Sequence, residues 1–254
     1  MLSKNKIKYI NSLKITKFRH ENKQFVAEGS KLVKDLIQEH FDITELYATA
    51  KWSEENSELT ENLQIYLVTD AELKRISNLT EPNGVLALAN IPSMPPGHEM
   101  LPDDLLIVLD GISDPGNMGT IIRTADWFGI KDIICSEDTV DVFNPKVVQA
   151  TMGSIARVKV HYDDLESFMK SVPPDIEICG TFMDGENLYE TVFSPKTILV
   201  FGSEAKGISK ELLPLITKKL TVPASGNRTH RPESLNVAVS HAIITAEYMR
   251  RQNQ

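Results

Sequence analysis

Leu105-Leu-Ile-Val-Leu109-Asp110-Gly-Ile-Ser-Asp-Pro-Gly-Asn117-Met-Gly-Thr-Ile-Ile-Arg123-Thr-Ala125 is the stretch whose reading decides the fold. Residues 105–109 are a continuous apolar run, the pattern of a parallel strand buried on both faces. A glycine-bearing loop follows. Ile121, Ala125 and Phe128 then recur at helical spacing, which predicts a helix over 118–128. Strand, loop and helix together are the repeating half-unit of a parallel α/β sheet. Ligands bind such sheets beyond the carboxyl ends of the strands, so this loop is a candidate site in itself. Asn117 is placed to cap the helix, and free N–H groups at a helix start suit an anion. Arg123 lies about two turns in, on much the same face as Thr120 and bracketed by Ile121, Ile122 and Ala125. A guanidinium so close to an apolar stripe needs a partner or a cleft.

Working outward, strands are expected at 133–135, 157–160, 176–181, 197–201 and 220–222, with helices between several of them. A final helix over 234–251 carries Val239, Ala242, Ile243 and Ala246 on one face. This half reads as a doubly wound, mainly parallel sheet. Upstream, Ile91-Pro-Ser-Met-Pro-Pro-Gly97 has no apolar period and favours an extended connector. It divides the chain into domains at 1–95 and 100–254. Before it, Ile7, Ile10 and Leu13 mark one helix, and Ser30 can cap another that carries Leu32, Leu36 and Ile37. Strands at 45–48, 64–68 and 84–89 and a helix at 71–76 complete a small α/β domain.

Two further loops follow strands. Gly202-Ser-Glu204-Ala-Lys-Gly207 has glycines that let backbone approach a ligand closely. Lys206 is wrongly spaced for a Walker A loop, and no dinucleotide fingerprint exists, which counts against a nucleotide-dependent oxidoreductase. The other loop runs from Val222 and Pro223 through Gly226, Arg228, His230 and Arg231 to Ser234 and Asn236. Capping of the last helix is the ordinary role for Ser234 and Asn236.

The chain has 254 residues and a formal charge of −8. Residues 1–34 nonetheless hold nine Lys and Arg against two Glu, which suggests a basic docking element on an acidic body. No apolar run reaches the roughly 20 residues that span a bilayer, and no secretory leader is visible. Cys135 and Cys179 sit in apolar runs and read as buried free thiols of a reducing compartment, so a cytoplasmic protein is expected. The six histidines make no metal-ligand spacing with them, and no metal is expected.

Taken in order, the three loops resemble the signature motifs of the SpoU (TrmH-like) family of RNA 2′-O-ribose methyltransferases, within the SPOUT superfamily. Asn117, Gly119, Arg123 and Ala125 match the first motif. Gly202, Glu204 and Gly207 match the second. Val222, Pro223, Gly226 and Ser234-Leu-Asn-Val237 match the third. The resemblance covers about residues 104–250. The N-terminal part also looks like the family's substrate-binding domain, through Phe25-Val-Ala-Glu28-Gly29.

The resemblance implies a parallel-sheet domain with a trefoil (SPOUT) knot, preceded by a small α/β RNA-binding domain. It implies methyl transfer from S-adenosylmethionine to a ribose 2′-hydroxyl of structured RNA, with rRNA favoured over tRNA by the two-domain layout, and a homodimer. Asn117, Arg123, Glu204, Ser234 and Asn236 would form the reaction centre. Thr181, Gly202, Ser203, Gly207, Val222 and Leu235 would hold the cofactor. Lys4, Lys6, Lys8, Lys14, Arg19, Arg228 and Arg231 would meet RNA. As a literal base, an arginine must shift its pKa from about 12.5 towards 7, at a cost on the order of 7 kcal/mol, so positioning and charge stabilisation are the preferred role. One departure is a longer loop between Gly226 and Ser234, which bears on loop geometry and RNA selectivity. The competing reading is an RNA-binding protein of the same fold without catalysis. That reading expects an eroded first motif, whereas Asn117 and Arg123 are both present.

Overall fold

The computed structural model describes residues 1–97, 100–224 and 233–252. The helices are α1 (Lys4–Ser12), α2 (Thr16–Asn22), α3 (Ser30–Gln38), α4 (Ala50–Glu55), α5 (Asp70–Ile76), α6 (Pro115–Trp127), α7 (Pro145–Ala150), α8 (Leu165–Ser171) and α9 (Val237–Gln252). The strands are β1 (Gln24–Glu28), β2 (Ile43–Ala48), β3 (Ile65–Leu67), β4 (Val85–Asn90), β5 (Leu105–Asp110), β6 (Asp132–Ser136), β7 (Lys159–Asp163), β8 (Glu177–Asn187), β9 (Thr197–Gly202) and β10 (Lys218–Thr221). They form two compact units. One joins Met1–Ser93 to Asp141–Arg157, and the other joins Met94–Val140 to Val158–Gln254.

The first unit is built on a four-stranded sheet of order β1-β4-β2-β3, antiparallel except for the β2–β3 pair. Ile10, Leu13, Val26, Tyr47, Leu73, Ile76, Leu86 and Leu88 make its core. Helix α5 starts on a capping box in which Thr69 and Glu72 exchange hydrogen bonds, and so satisfies two orphan donors. Glu28 is buried at the end of β1. It accepts bonds from Ser77 Oγ, the Asn78 backbone N–H at 2.8 Å and Asn78 Nδ2 at 2.6 Å, which secures the loop after α5. Part of the unit comes from far along the chain. Phe143 packs on Phe25 with ring centroids 4.7 Å apart, and α7 lies against β1.

Arg19 corrects one expectation. Its side chain is fully buried and does not face solvent. Nε and Nη2 donate to Asp141 Oδ2, Nη1 donates to the carbonyls of Leu13 and Lys14, and Nη2 also donates to Thr16 Oγ1. Its donors are spent on closing the α1–α2 turn onto Asp141, so it offers none to RNA. Lys6 is also engaged, through Glu45 at 2.8 Å and the Tyr9 ring at 5.4 Å. Lys4, Lys8 and Lys14 are exposed.

The second unit is built on six parallel strands in the order β10-β8-β9-β5-β6-β7. Strand β5 lies inside the sheet, between β9 and β6, which explains why its sequence is apolar on both faces. Strand β7 starts two residues after the expected 157. Strand β8 runs on to Asn187, and its register against β10 jumps after Gly180. Cys135 and Cys179 are free and buried, and burial pushes both thiols above their usual range. Among the described residues no helix is long and apolar enough to cross a membrane, and no acidic, His or Cys cluster can hold a metal ion.

His241 on α9 is fully buried against the edge of Phe201, and among the described residues neither ring nitrogen has a hydrogen-bond partner. Burial pushes its pKa down to about 3. The folded state therefore keeps it neutral, while the unfolded chain takes up a proton below its ordinary value near 6.5. Its contribution to stability is complete above that value and falls by about 1.4 kcal/mol per pH unit as pH drops towards 3. His241→Leu removes this titration without leaving an orphan polar atom. Its melting temperature at pH 7 is expected to equal or exceed that of the parent, with a shallower decline between pH 6.5 and 4.5. Parallel melting curves across that window would contradict this.

Candidate active site

The parallel sheet sets the ends of β5 and β9 side by side, with Asp110 opposite Gly202 in the register. The loops after these strands and the start of α9 meet at that edge. Asn117 is not the cap of α6. Asp114 takes that role, with Oδ1 accepting from the Asn117 backbone N–H at 2.8 Å and Pro115 in the first turn. The Asn117 side chain is thereby released. Its Nδ2 donates to Glu204 Oε1, and its Oδ1 accepts from Asn236 Nδ2 at 2.9 Å. Asn236 has two roles. Its Oδ1 accepts from the backbone N–H groups of Ala238 and Val239 and so caps α9, while its Nδ2 reaches Asn117.

The structure thus joins Asn117, Glu204 and Asn236 in one hydrogen-bonded chain across the three loops. Ser234 is exposed just upstream, since α9 starts at Val237 rather than 234. Arg123 is exposed on α6. Among the described residues its side chain forms no hydrogen bond or ion pair. Arg228, Arg231 and Gly226, with most of the extended loop, lie outside the described residues.

The glycine turn after β9 is closed by a bridge between Ser203 and Gly207, and Ser203 Oγ accepts from the Lys206 N–H. A Cβ on Gly202 would stand 2.1 Å from the Gly207 carbonyl carbon and 2.2 Å from the Ile208 nitrogen. Both are backbone atoms, which have no rotamer to give. Gly202→Ala is therefore expected to displace the turn and destabilise the fold by about 1–3 kcal/mol. Gly207 has φ +68° with open space around it, so Gly207→Ala meets only conformational strain of about 1–2 kcal/mol. Calorimetric titration with S-adenosylmethionine should show at least tenfold weaker binding for Gly202→Ala and a smaller loss for Gly207→Ala. Equal affinities would remove the turn from the cofactor site.

Sequence reasoning missed Asp110. It is buried at the end of β5, and Oδ2 accepts from the Ser209 N–H at 2.6 Å, which ties the segment after the glycine turn to the neighbouring strand. It also missed the support of Gly111, whose N–H donates to Ser136 Oγ at 2.8 Å; that hydroxyl in turn donates to Asp138. The Asp-Pro pair at 114–115 was a readable signal for the true cap, because Pro favours the first helical position.

The residues present suit an S-adenosylmethionine site on their own chemistry. Leu235 is half exposed although apolar, which suits contact with the apolar parts of a bound ligand. Val222 is partly buried, and Thr181 lies on β8 one residue past the Gly180–Val200 pair.

The site is thus a parallel α/β sheet whose three carboxyl-edge loops are joined by hydrogen bonds among two asparagines and a glutamate. Residues 104–246 match the family model of the SpoU rRNA methylases, and residues 4–87 match the MRM3-like substrate-binding domain. The chain belongs to the SpoU rRNA methylase family. Over 97% of its length it is 30% identical to an uncharacterized tRNA/rRNA methyltransferase of Synechocystis sp., of which it covers 91%. It is 26% identical to the 23S rRNA (guanosine(2553)-2′-O)-methyltransferase RlmP of Bacillus subtilis, over 94% of each chain. A solved TrmH-family protein from Porphyromonas gingivalis is 38% identical and superposes with a TM-score of 0.84 over 99% of both chains. The AdoMet-bound rRNA methyltransferase of Sinorhizobium meliloti is 28% identical with a TM-score of 0.87, over 99% of this chain and 96% of that one.

Proposed function

We propose that this chain transfers a methyl group from S-adenosylmethionine to a ribose 2′-hydroxyl of ribosomal RNA, in preference to tRNA. Residues 1–95 dock the RNA and residues 100–254 carry the transfer. The observation that carries the reading is the Glu204–Asn117–Asn236 chain, which holds three loops from distant parts of the sequence in one arrangement. The 23S rRNA 2′-O-methyltransferases among its relatives favour the substrate class.

When bound, S-adenosylmethionine supplies an electrophilic methyl group. The backbone at Gly202, Ser203, Gly207, Val222 and Leu235, with Thr181, holds it. The Asn117 network fixes the loops before substrate arrives, so that little reorganisation remains at the moment of reaction. Arg123, exposed and without a hydrogen-bond or ion-pair partner among the described residues, orients the ribose hydroxyl and stabilises the negative charge that develops as its proton passes to solvent. Ser234 lies at the same loop, within the reaction centre. Alignment of hydroxyl and methyl supplies much of the rate.

The proposal includes the trefoil threading of the C-terminal segment and a cytoplasmic homodimer. The dimer is supported by Trp127, 85% exposed on α6, and Val239, 48% exposed on α9, two helices that pack together. Sedimentation at micromolar concentration should give twice the chain mass. The deciding assay incubates the protein with radiolabelled S-adenosylmethionine and separated 23S rRNA, 16S rRNA and tRNA, and then maps the 2′-O-methyl position. Label in 23S rRNA is expected. No label in any RNA rejects the enzyme reading, and label in tRNA alone rejects the substrate class.

A further inference from the structure

We propose that the first unit carries a nucleotide-binding cavity, lined by the residues that end α2 and α3, which takes an unstacked base of the RNA substrate together with its phosphate. The inference rests on the RNA-methylating reading and names where the substrate is gripped away from the reaction centre. The cavity holds about 650 Å³ and is lined by Lys23, His40, Phe41, Asp42, Ile91 and Pro92, among others. That volume lies within the range of small-ligand sites.

Lys23 and His40 both have left-handed backbones, at φ 51° and 56°. Each directly follows a helix or its last turn, where glycine or asparagine takes this conformation at lower cost. The chain puts large cationic or protonatable side chains there instead, and both line the same cavity. Both side chains are exposed, and neither has a recorded hydrogen bond or ion pair among the described residues. Two left-handed positions whose exposed side chains make no hydrogen bond or ion pair among the described residues argue for a use outside the fold.

The remaining wall supplies the rest of a base site. Phe41 packs edge-on to Phe25, with centroids 6.0 Å apart at 83°, and its half-buried ring lines the cavity. Aromatic rings held in this way stack unpaired bases with little sequence preference. Ile91 is fixed in place by its N–H donating to the Lys23 carbonyl at 2.7 Å. Asp42 accepts from Asn90 Nδ2 through Oδ2, and its Oδ1 makes no hydrogen bond among the described residues, so that oxygen can accept from a base N–H. Lys23 then meets the phosphate, Phe41 the base face, and Asp42 a donor on the base edge.

The test uses the full chain and a fluorescein-labelled 23S rRNA transcript, with affinity read by anisotropy over a salt series. In the Lys23→Gly/His40→Gly double variant the left-handed backbone is kept at no steric cost, so melting is expected to stay level or rise. Its affinity for the transcript is expected to fall at least tenfold, with a salt slope smaller by about 0.7 for the lost lysine contact. Phe41→Leu, in the same assay, should weaken binding about tenfold. Affinity for S-adenosylmethionine should not change in either protein. A double variant that melts normally and binds the transcript like the parent overturns the cavity. So does a parent that does not bind the transcript, or binding of free GMP that the transcript does not displace. Parent activity on 23S rRNA with unaltered variants leaves the methyltransferase reading intact and removes only the cavity. Cavity-dependent binding without methyl transfer does the reverse.

Discussion

Arg123→Ala is expected to lower methyl transfer to RNA at least about a thousandfold, while S-adenosylmethionine binding stays within a few-fold of the parent. Arg123 stands on the exposed face of α6 with no recorded partner among the described residues, so its removal leaves no orphaned charge and no cavity in the core. The loss should therefore appear in turnover and not in melting temperature. Calorimetry that shows lost cofactor binding would instead place Arg123 in the cofactor site. Arg123→Lys separates two chemical roles. Lysine gives up its proton more readily but lacks the planar fork that orients an oxygen. Retained activity would favour a base, and activity near that of the alanine variant would favour positioning.

Arg19→Ala is expected to destabilise the first unit by about 3–5 kcal/mol, the cost of breaking a buried ion pair by removing one partner. Asp141 would lose two charge-assisted bonds, and the carbonyls of Leu13 and Lys14 would lose theirs. The two tryptophans allow the loss to be localised. Trp52 is buried in the first unit with Nε1 donating to Ser30, and Trp127 is exposed in the second. In a Trp127→Phe background, urea unfolding followed by Trp52 fluorescence should shift its midpoint strongly for Arg19→Ala. Arg19→Lys should recover only part, since one ammonium cannot reach all four acceptors. A shift below about 1 kcal/mol would mean that the pair is worth no more than an exposed one.

The second unit was legible where sequence and burial speak the same language. The run at 105–109 is apolar on both faces because β5 has a strand on each side, and the three loops identified themselves by following strands. The bonds among them were not legible. Asn117 is 87 residues from Glu204 and 119 from Asn236, and no local pattern encodes a contact at that range. Asn117 was read as a cap because asparagine is a good one, although Asp114 before Pro115 is a better one. Helix α2 was missed for a different reason. Thr16–Asn22 has no apolar stripe, and its one buried residue is an arginine. Read as a charge, Arg19 pointed to RNA; its burial depends on Asp141, 122 residues away. The short helices α4, α7 and α8 are six or seven residues each, too brief for a period to declare itself.

The segment Asp141–Arg157 lies within the sequence matched to the methylase family, yet its packing belongs to the other unit. Recombination that joined a new recognition module to this methylase at the 91–97 connector would strip Arg19 of Asp141 and Phe25 of Phe143. The first unit is thus written in two separate pieces of the sequence. A chimera designed for retargeting should carry both pieces from the same parent, and one that exchanges only residues 1–95 should express as a poorly soluble protein.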